Sequence, residues 1–219
     1  MKLPTIIQGG MGAGVSSWRL ANAVSSLGQL GVVSGIALDV ILARRLQDGD
    51  PDGSLRRALA AFPAPAVADR ILSRYFIDGG KPKDRPYKSV PMHCVNDSRA
   101  AVELCIAGSF VEVFLAREGH DNPVGINFLE KIQLPKLPAI YGAMLAGVSV
   151  VLVGAGIATK LPGILERLRR HESAVYEVRP DEASQPGPVL LRFAPADYVG
   201  HEMEPLERPL FYPIISSDA

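Results

Sequence analysis

The sequence predicts a mixed α/β fold built on a parallel sheet. Three observations carry that expectation. Runs such as 31–35 (GVVSG) and 124–129 (VGINFL) are apolar on both faces and lack the alternation of a half-solvated strand. Stretches with helical spacing fall between such runs. Glycines stand where a strand would hand over to a helix: Gly9, Gly10, Gly12 and Gly14 after the first run, Gly154 and Gly156 after a later one.

The elements follow in order. Thr5–Gly9 reads as a buried strand. Ser16 or Ser17 can cap a helix that places Leu20, Val24 and Leu27 on one face. A turn at 28–30 leads to the strand at 31–35. Leu38, Ile41, Leu42 and Leu46 then give helical spacing. The alternation breaks at 48–98. Two short helical patterns lie there, around 55–62 and 67–75, followed by a Pro/Gly/Lys-rich stretch with little periodicity. This region reads as an insertion or lid within a single domain spanning 1–219.

The alternation then resumes. Val102, Cys105, Ile106, Phe110, Val113 and Phe114 form a long helical stripe, and 124–129 is a strand. Pro138 can start the next helix, which Gly147 ends. A strand at 148–153 runs into Gly154-Ala155-Gly156. Leu161, Ile164, Leu165 and Leu168 form another helix. Residues 175–179 and 189–193 read as a hairpin, and 210–215 as a last strand. Five core strands result, each but the last followed by a helix. An eight-unit (β/α)8 TIM barrel typically needs about 250 residues. The 219 residues here correspond to about the first five strands of one, with the excursion inserted. A five-stranded flavodoxin-like sheet is the rival, but it would close with a C-terminal helix.

Composition narrows the function classes. Apolar residues make up 47% of the chain, so a packed core is expected. The 23 basic and 23 acidic residues balance, which argues against a nucleic-acid partner. Cys94 and Cys105 match neither a metal-ligand spacing nor a disulfide framework, and they point to a reducing cytoplasm. The N-terminus is too short and too soon glycine-rich for a signal peptide. The longest apolar stretch, 143–158, is broken by glycines and falls short of a membrane span. No metal site is expected.

The first glycine cluster invites a phosphate-loop reading that its spacing refuses. A dinucleotide fingerprint needs glycines at i, i+2 and i+5. Starting from Gly10 the third position is Val15, and from Gly12 it is Ser17. Gly9 and Gly14 have the P-loop spacing, but Val15 stands where the lysine belongs. A plain tight strand-to-helix turn is the simplest alternative. Three features argue for a ligand site instead. Met11 offers a soft side chain that can lie against a flat ring. Asn127 interrupts an apolar strand, where a buried amide needs partners. Gly154 and Gly156 follow the next strand. In a parallel barrel all these positions fall at the C-terminal mouth, where active sites sit.

These stretches resemble a known family. "PTIIQGGMGAGVSSWRLANAVSSLGQLGVVSG" is similar to the start of the nitronate monooxygenases, also called 2-nitropropane dioxygenases, a family related to flavin-type enoyl-ACP reductases. "PVGINFL" is similar to the family's third-strand motif, and "AGVSVVLVGAGI" to its fourth strand and glycine turn. The resemblance covers roughly 4–46 and 100–165, and 48–98 lies outside the common core. It implies an FMN-dependent TIM barrel. Gln8, Gly9, Gly10, Met11 and Gly12 would lie against the flavin ring, Asn127 would hydrogen-bond it, and Gly154 and Gly156 would complete the site. It further implies oxidation of an alkyl nitronate with O2 to a carbonyl compound and nitrite, with enoyl reduction as the runner-up.

The family's Gly-Gly-His motif and later phosphate loops have no counterpart here, so no catalytic base is assigned and weak FMN binding is expected. His120 reads as a solvated loop histidine. His171 reads as favouring the negative end of its helix. The expected partners are a small-molecule substrate, with no nucleic acid and no membrane. A homo-oligomer or partner chain would cover the open sheet edge, and a non-catalytic half-barrel is the alternative to an enzyme.

Overall fold

A computed structural model describes residues 4–156, 158–178, 187–200 and 203–215. Along the chain run α1 (Trp18–Ser26), β1 (Gly31–Ser34), α2 (Leu38–Gln47), α3 (Ser54–Ala60), α4 (Pro65–Tyr75), α5 (Arg99–Arg117), β2 (Val124–Leu129) and α6 (Lys136–Leu145). They are followed by β3 (Val150–Gly154), α7 (Leu161–Arg169), β4 (Ala174–Val178), β5 (Val189–Phe193), α8 (Ala196–Val199) and β6 (Leu210–Pro213).

The main sheet has four parallel strands in the order β1-β2-β3-β6. The expected first strand joins it only through a parallel bridge between Ile7 and Leu30. It is not buried either, since Ile6 is 61% and Ile7 48% exposed. The apolar run fixed its extended backbone, but it has a strand on one side alone. Parallel neighbours in chain order differ from the flavodoxin-like arrangement, which puts the first strand inside the sheet.

The two faces of the sheet are covered differently. Register aligns Val32, Gly125, Val150 and Leu210, and also Ser34, Asn127, Leu152 and Tyr212. Side chains alternate across a strand, so both rows share one face. Leu30, Val32, Val150 and Leu152 make a small apolar cluster there with Tyr212, and among the described residues no helical residue joins it. The other face presents Val33, Ile126, Phe128, Val151 and Val153 to the main core, which α2, α5, α6 and α7 complete. A doubly wound sheet would carry helices on both faces.

Helix α5 is the hub of that core. It approaches α6 where a Cβ on Gly142 would lie 2.1 Å from the Ile106 carbonyl oxygen. It also holds α1 in place. Neither Ser16 nor Ser17 caps that helix as expected. Ser17 occupies the cap position without a side-chain bond, and the Trp18 amide donates to Glu112 Oε2 of α5 at 2.8 Å. Helix α6 begins at Lys136, ahead of Pro138. A proline is tolerated in the first turn because its missing N–H has no acceptor there.

The region 48–98 is more integral than an insertion or lid implies. Leu55, Ala58, Leu59, Phe62, Val67, Ile71 and Tyr75 all belong to the main core. The Phe62 ring meets Phe110 of α5 edge-on at 5.0 Å. Only the stretch after α4 runs irregularly. The hairpin forms as β4–β5, antiparallel, with Ala174 opposite Phe193. Arg179, expected at its end, lies outside the described residues. Among the described residues, no helix is long and apolar enough to cross a membrane.

Candidate functional site

Gln8 ties the first glycine loop to the sheet. Its Oε1 accepts the Val32 amide at 2.9 Å, where a longer strand would have offered a carbonyl. Its Nε2 donates to Ser16 Oγ at 3.1 Å, and Ser16 Oγ donates to the Met11 carbonyl at 2.7 Å. Both ends of the Gln8 amide are therefore occupied. The residue shapes the loop.

Gly10 is the tightest point. It is buried, with φ at +63°, and a Cβ there would fall 2.4 Å from Val32 Cγ1 and 3.1 Å from Asn127 Cβ. Only glycine fits both the backbone angle and the space. Met11 and Gly12 are exposed beside it, Met11 at 59%.

Asn127 lies under this loop. Its Nδ2 donates to the Gly9 carbonyl at 3.1 Å and lies 3.2 Å from Met11 Sδ. Its Oδ1 is buried and has no hydrogen-bond partner among the described residues. Ser34, its register partner on β1, is 1% exposed, and its Oγ is likewise unpartnered. Two orphaned polar groups thus adjoin on the helix-free face, next to the one glycine that lets the loop approach. Buried polar groups are almost always satisfied, yet among the described residues these two, like Trp18 Nε1, Ser109 Oγ and His120 Nδ1, have no partner. Ser34 was missed in the sequence reading. It had the signal Asn127 had, a polar residue inside an apolar strand.

Gly154 and Gly156 sit at the neighbouring strand end and serve a different cluster. Gly154 accepts the Glu130 amide at 2.7 Å, and a Cβ on Gly156 would fall 2.6 Å from Glu130 Cβ and Cγ. Glu130 Oε2 receives Lys136 Nζ at 2.6 Å, and Lys136 Nζ also donates to Tyr176 Oη at 3.1 Å. Tyr176 donates in turn to Glu130 Oε1, which closes the triangle. Burial pulls the Lys136 ammonium below its usual range, partly offset by Glu130, and burial pushes the Tyr176 hydroxyl up. With every donor engaged, the triangle locks the hairpin onto the end of β2.

The histidines fall elsewhere. His120 lies in the loop after α5 as expected but is only half-exposed: its Nε2 donates to the Ala116 carbonyl at 3.0 Å, and its Nδ1 is buried. His171 bridges the Tyr141 hydroxyl at 2.7 Å and the Glu204 carbonyl at 3.0 Å. His201 lies outside the described residues. His93 is held on both ring nitrogens, by Asp97 at 2.6 Å and Asp39 at 3.2 Å, and its pKa is raised to about 9 by those carboxylates, Asp39 first. An imidazolium with both N–H groups bound is neither a base nor a ligand. Among the described residues, no group of His, Cys, Asp and Glu is arranged to hold a metal ion.

No family model matches the chain, and it matches neither a curated protein nor a solved structure.

Proposed function

We propose that the chain is the ring-binding part of an FMN-dependent oxidoreductase of nitronate monooxygenase type, built on the first five strands of a TIM barrel. The motif resemblance supports this reading. So do the parallel strands in chain order and the helix-free face, which suit a barrel interior. The observation that carries it is the orphaned Asn127 Oδ1 beside Gly10.

A flavin ring would suit the chemistry of these residues, reaching Asn127 and Ser34 once the loop over them opens, since both are buried. Its pyrimidine edge carries both an N–H donor and carbonyl acceptors, which Asn127 Oδ1 and Ser34 Oγ complement. Met11, 59% exposed and 3.2 Å from Asn127 Nδ2 through its sulfur, would lie against the ring face, and Gly10 lets the loop backbone approach. When bound, flavin supplies the electron transfer from an alkyl nitronate to O2 that gives a carbonyl compound and nitrite. The chain's own contribution is to hold and orient the ring through Asn127 and Ser34. Gln8 contributes by fixing the loop. Enoyl reduction is the alternative chemistry for the same ring site.

Titration of the chain with riboflavin and with FMN, followed by flavin fluorescence, tests the assignment. Both should bind weakly and with similar affinity, because the contacts described reach the ring alone. Loss of both on Asn127→Ala is expected. Absence of riboflavin binding, or FMN binding far tighter than riboflavin, would overturn a ring-only site.

A second reading has its own support. Ile6, Ile7, Leu210 and Ile214 are all at least 42% exposed at the two outer edges of the sheet. In that reading a second copy or partner chain covers those edges. A monodisperse, well-folded monomer in sedimentation would remove it.

A further inference from the structure

A cavity of about 800 Å³ opens at the strand ends beyond the glycine loop. Four separate stretches wall it: the turn after β1 through Ile36, the β2–α6 loop through Ile132 and Leu134, the irregular segment after α4 through Val95, and the hairpin through Val189 and Leu191. Walls from four stretches make an open cleft large enough for a small molecule. Its volume lies within the range of about 300–1,000 Å³ typical of such sites. Among the described residues the apolar lining is aliphatic, without Phe, Tyr or Trp, and the His93 ring that also lines it is held between two carboxylates. Flat rings find little to stack on there, while a flexible hydrocarbon chain finds dispersion contacts along the aliphatic walls.

The polar groups on the lining, His93, Lys131 and the neutral Gln133 amide, narrow the class. His93 contributes no free charge, because Asp39 and Asp97 occupy both its ring nitrogens. Lys131 is exposed and carries no ion pair among the described residues. We propose that this cavity binds an amphipathic molecule with a single hydrocarbon chain and an anionic head, the chain against the aliphatic walls and the head at Lys131. None of these residues belongs to the flavin-ring cluster, so the inference stands apart from that reading. It also gives a joint role to the segment after α4 and the hairpin.

Calorimetric titration of the 219-residue chain with a fatty-acid series, hexanoate to dodecanoate below micelle formation, tests this. Saturable one-to-one binding is expected. It should tighten by about fourfold per added methylene and then level off as the cleft fills. Decanol should bind more weakly than decanoate, and decyltrimethylammonium more weakly still. Lys131→Glu should erase the preference for decanoate over decanol. Two lining variants are placed where the fold tolerates change: Ile132→Trp, which fills the cleft, at a residue 39% exposed, and Val95→Asp, which puts a negative charge on its wall, at one 51% exposed. Each should weaken decanoate by about tenfold or more with an unchanged thermal melt. Non-saturable binding, affinity independent of chain length, or binding untouched by both lining variants would overturn the cleft as the site. Equal affinity for the cationic and anionic heads would overturn the role of Lys131. A flavin titration on the same samples reads the ring site separately.

Discussion

Asn127 and Gly9, 118 residues apart, are joined by a 3.1 Å hydrogen bond from the Asn127 amide to the Gly9 carbonyl. The bond uses half of the side chain. The other half, Oδ1, is buried without a partner. Leaving such an atom unsatisfied costs about 1–3 kcal/mol, comparable with what the Gly9 bond contributes. Asn127→Leu removes both terms at once. The unliganded variant should therefore unfold in urea within about 1 kcal/mol of wild type, although truncating buried polar residues usually costs more. Riboflavin should stabilise the wild type and leave the variant unchanged. A large loss without ligand would show that Oδ1 has a partner in the free protein.

Gly10 and Val32 form a testable steric pair. A Cβ at Gly10 falls 2.4 Å from Val32 Cγ1 at a backbone φ of +63°. Gly10→Ala should destabilise by about 2–4 kcal/mol, combining overlap with left-handed backbone strain. Val32→Ala removes the offending methyl and opens a small cavity of its own. The double variant should therefore be more stable than the sum of the single losses predicts, by about 1 kcal/mol or more in denaturant unfolding. Strict additivity would mean the loop moves away from β1 at little cost.

The residues that the sequence made legible share one property: their signal is local. β2 could be read from VGINFL alone, and Asn127 from its polarity inside that run. The first segment could not, because apolar character does not say how many neighbours a strand has, and Ile6 and Ile7 lie exposed at an edge. The polar clusters depended on partners distant in sequence. Trp18 meets Glu112 across 94 residues, and Tyr176 meets Glu130 across 46. Helix α5 shows why pattern alone misleads. Glu103 and Glu112, on opposite sides of the helix, are charged residues expected at solvent, yet both are buried, paired with Arg70 and Arg99 and with Arg45. Burial pushes the Glu112 carboxyl up, with Arg45 opposing it.

His93 should make stability depend on pH. Asp39 and Asp97 raise its folded pKa to about 9, above an unfolded value near 6.5, while the neighbouring Cys105 thiol is pushed up by burial and stays neutral. Below pH 6.5 both states carry the proton and the stabilisation is fully present. Between 6.5 and 9 only the folded state holds it, so stability falls as pH rises and the contribution is lost above about 9. With solvent screening, the loss across that window should be about 1–2 kcal/mol. Urea unfolding at several pH values should show that slope in the wild type and a flatter profile in His93→Gln. Identical slopes would place the origin of the pH dependence elsewhere.

Lys136 offers the sharpest test of what holds the hairpin to the sheet. Its side chain is 0% exposed, and its ammonium donates to the Glu130 carbonyl at 2.9 Å, to Glu130 Oε2 and to Tyr176 Oη. Lys136→Met keeps the buried length and removes the charge. The Glu130 carboxylate, only 13% exposed, then keeps the Tyr176 hydroxyl but loses its counter-ion. Breaking one side of a buried pair typically costs about 3–5 kcal/mol. Removing both charges is much cheaper, so the Glu130→Gln/Lys136→Met double variant should recover at least about 1–2 kcal/mol of the summed single losses. Hydrogen exchange should localise the effect. The amides of β4 and β5 should lose protection in Lys136→Met before those of β2, because the triangle joins Tyr176 of the hairpin to the end of that strand. Uniform loss across the sheet would instead make Lys136 a general core residue.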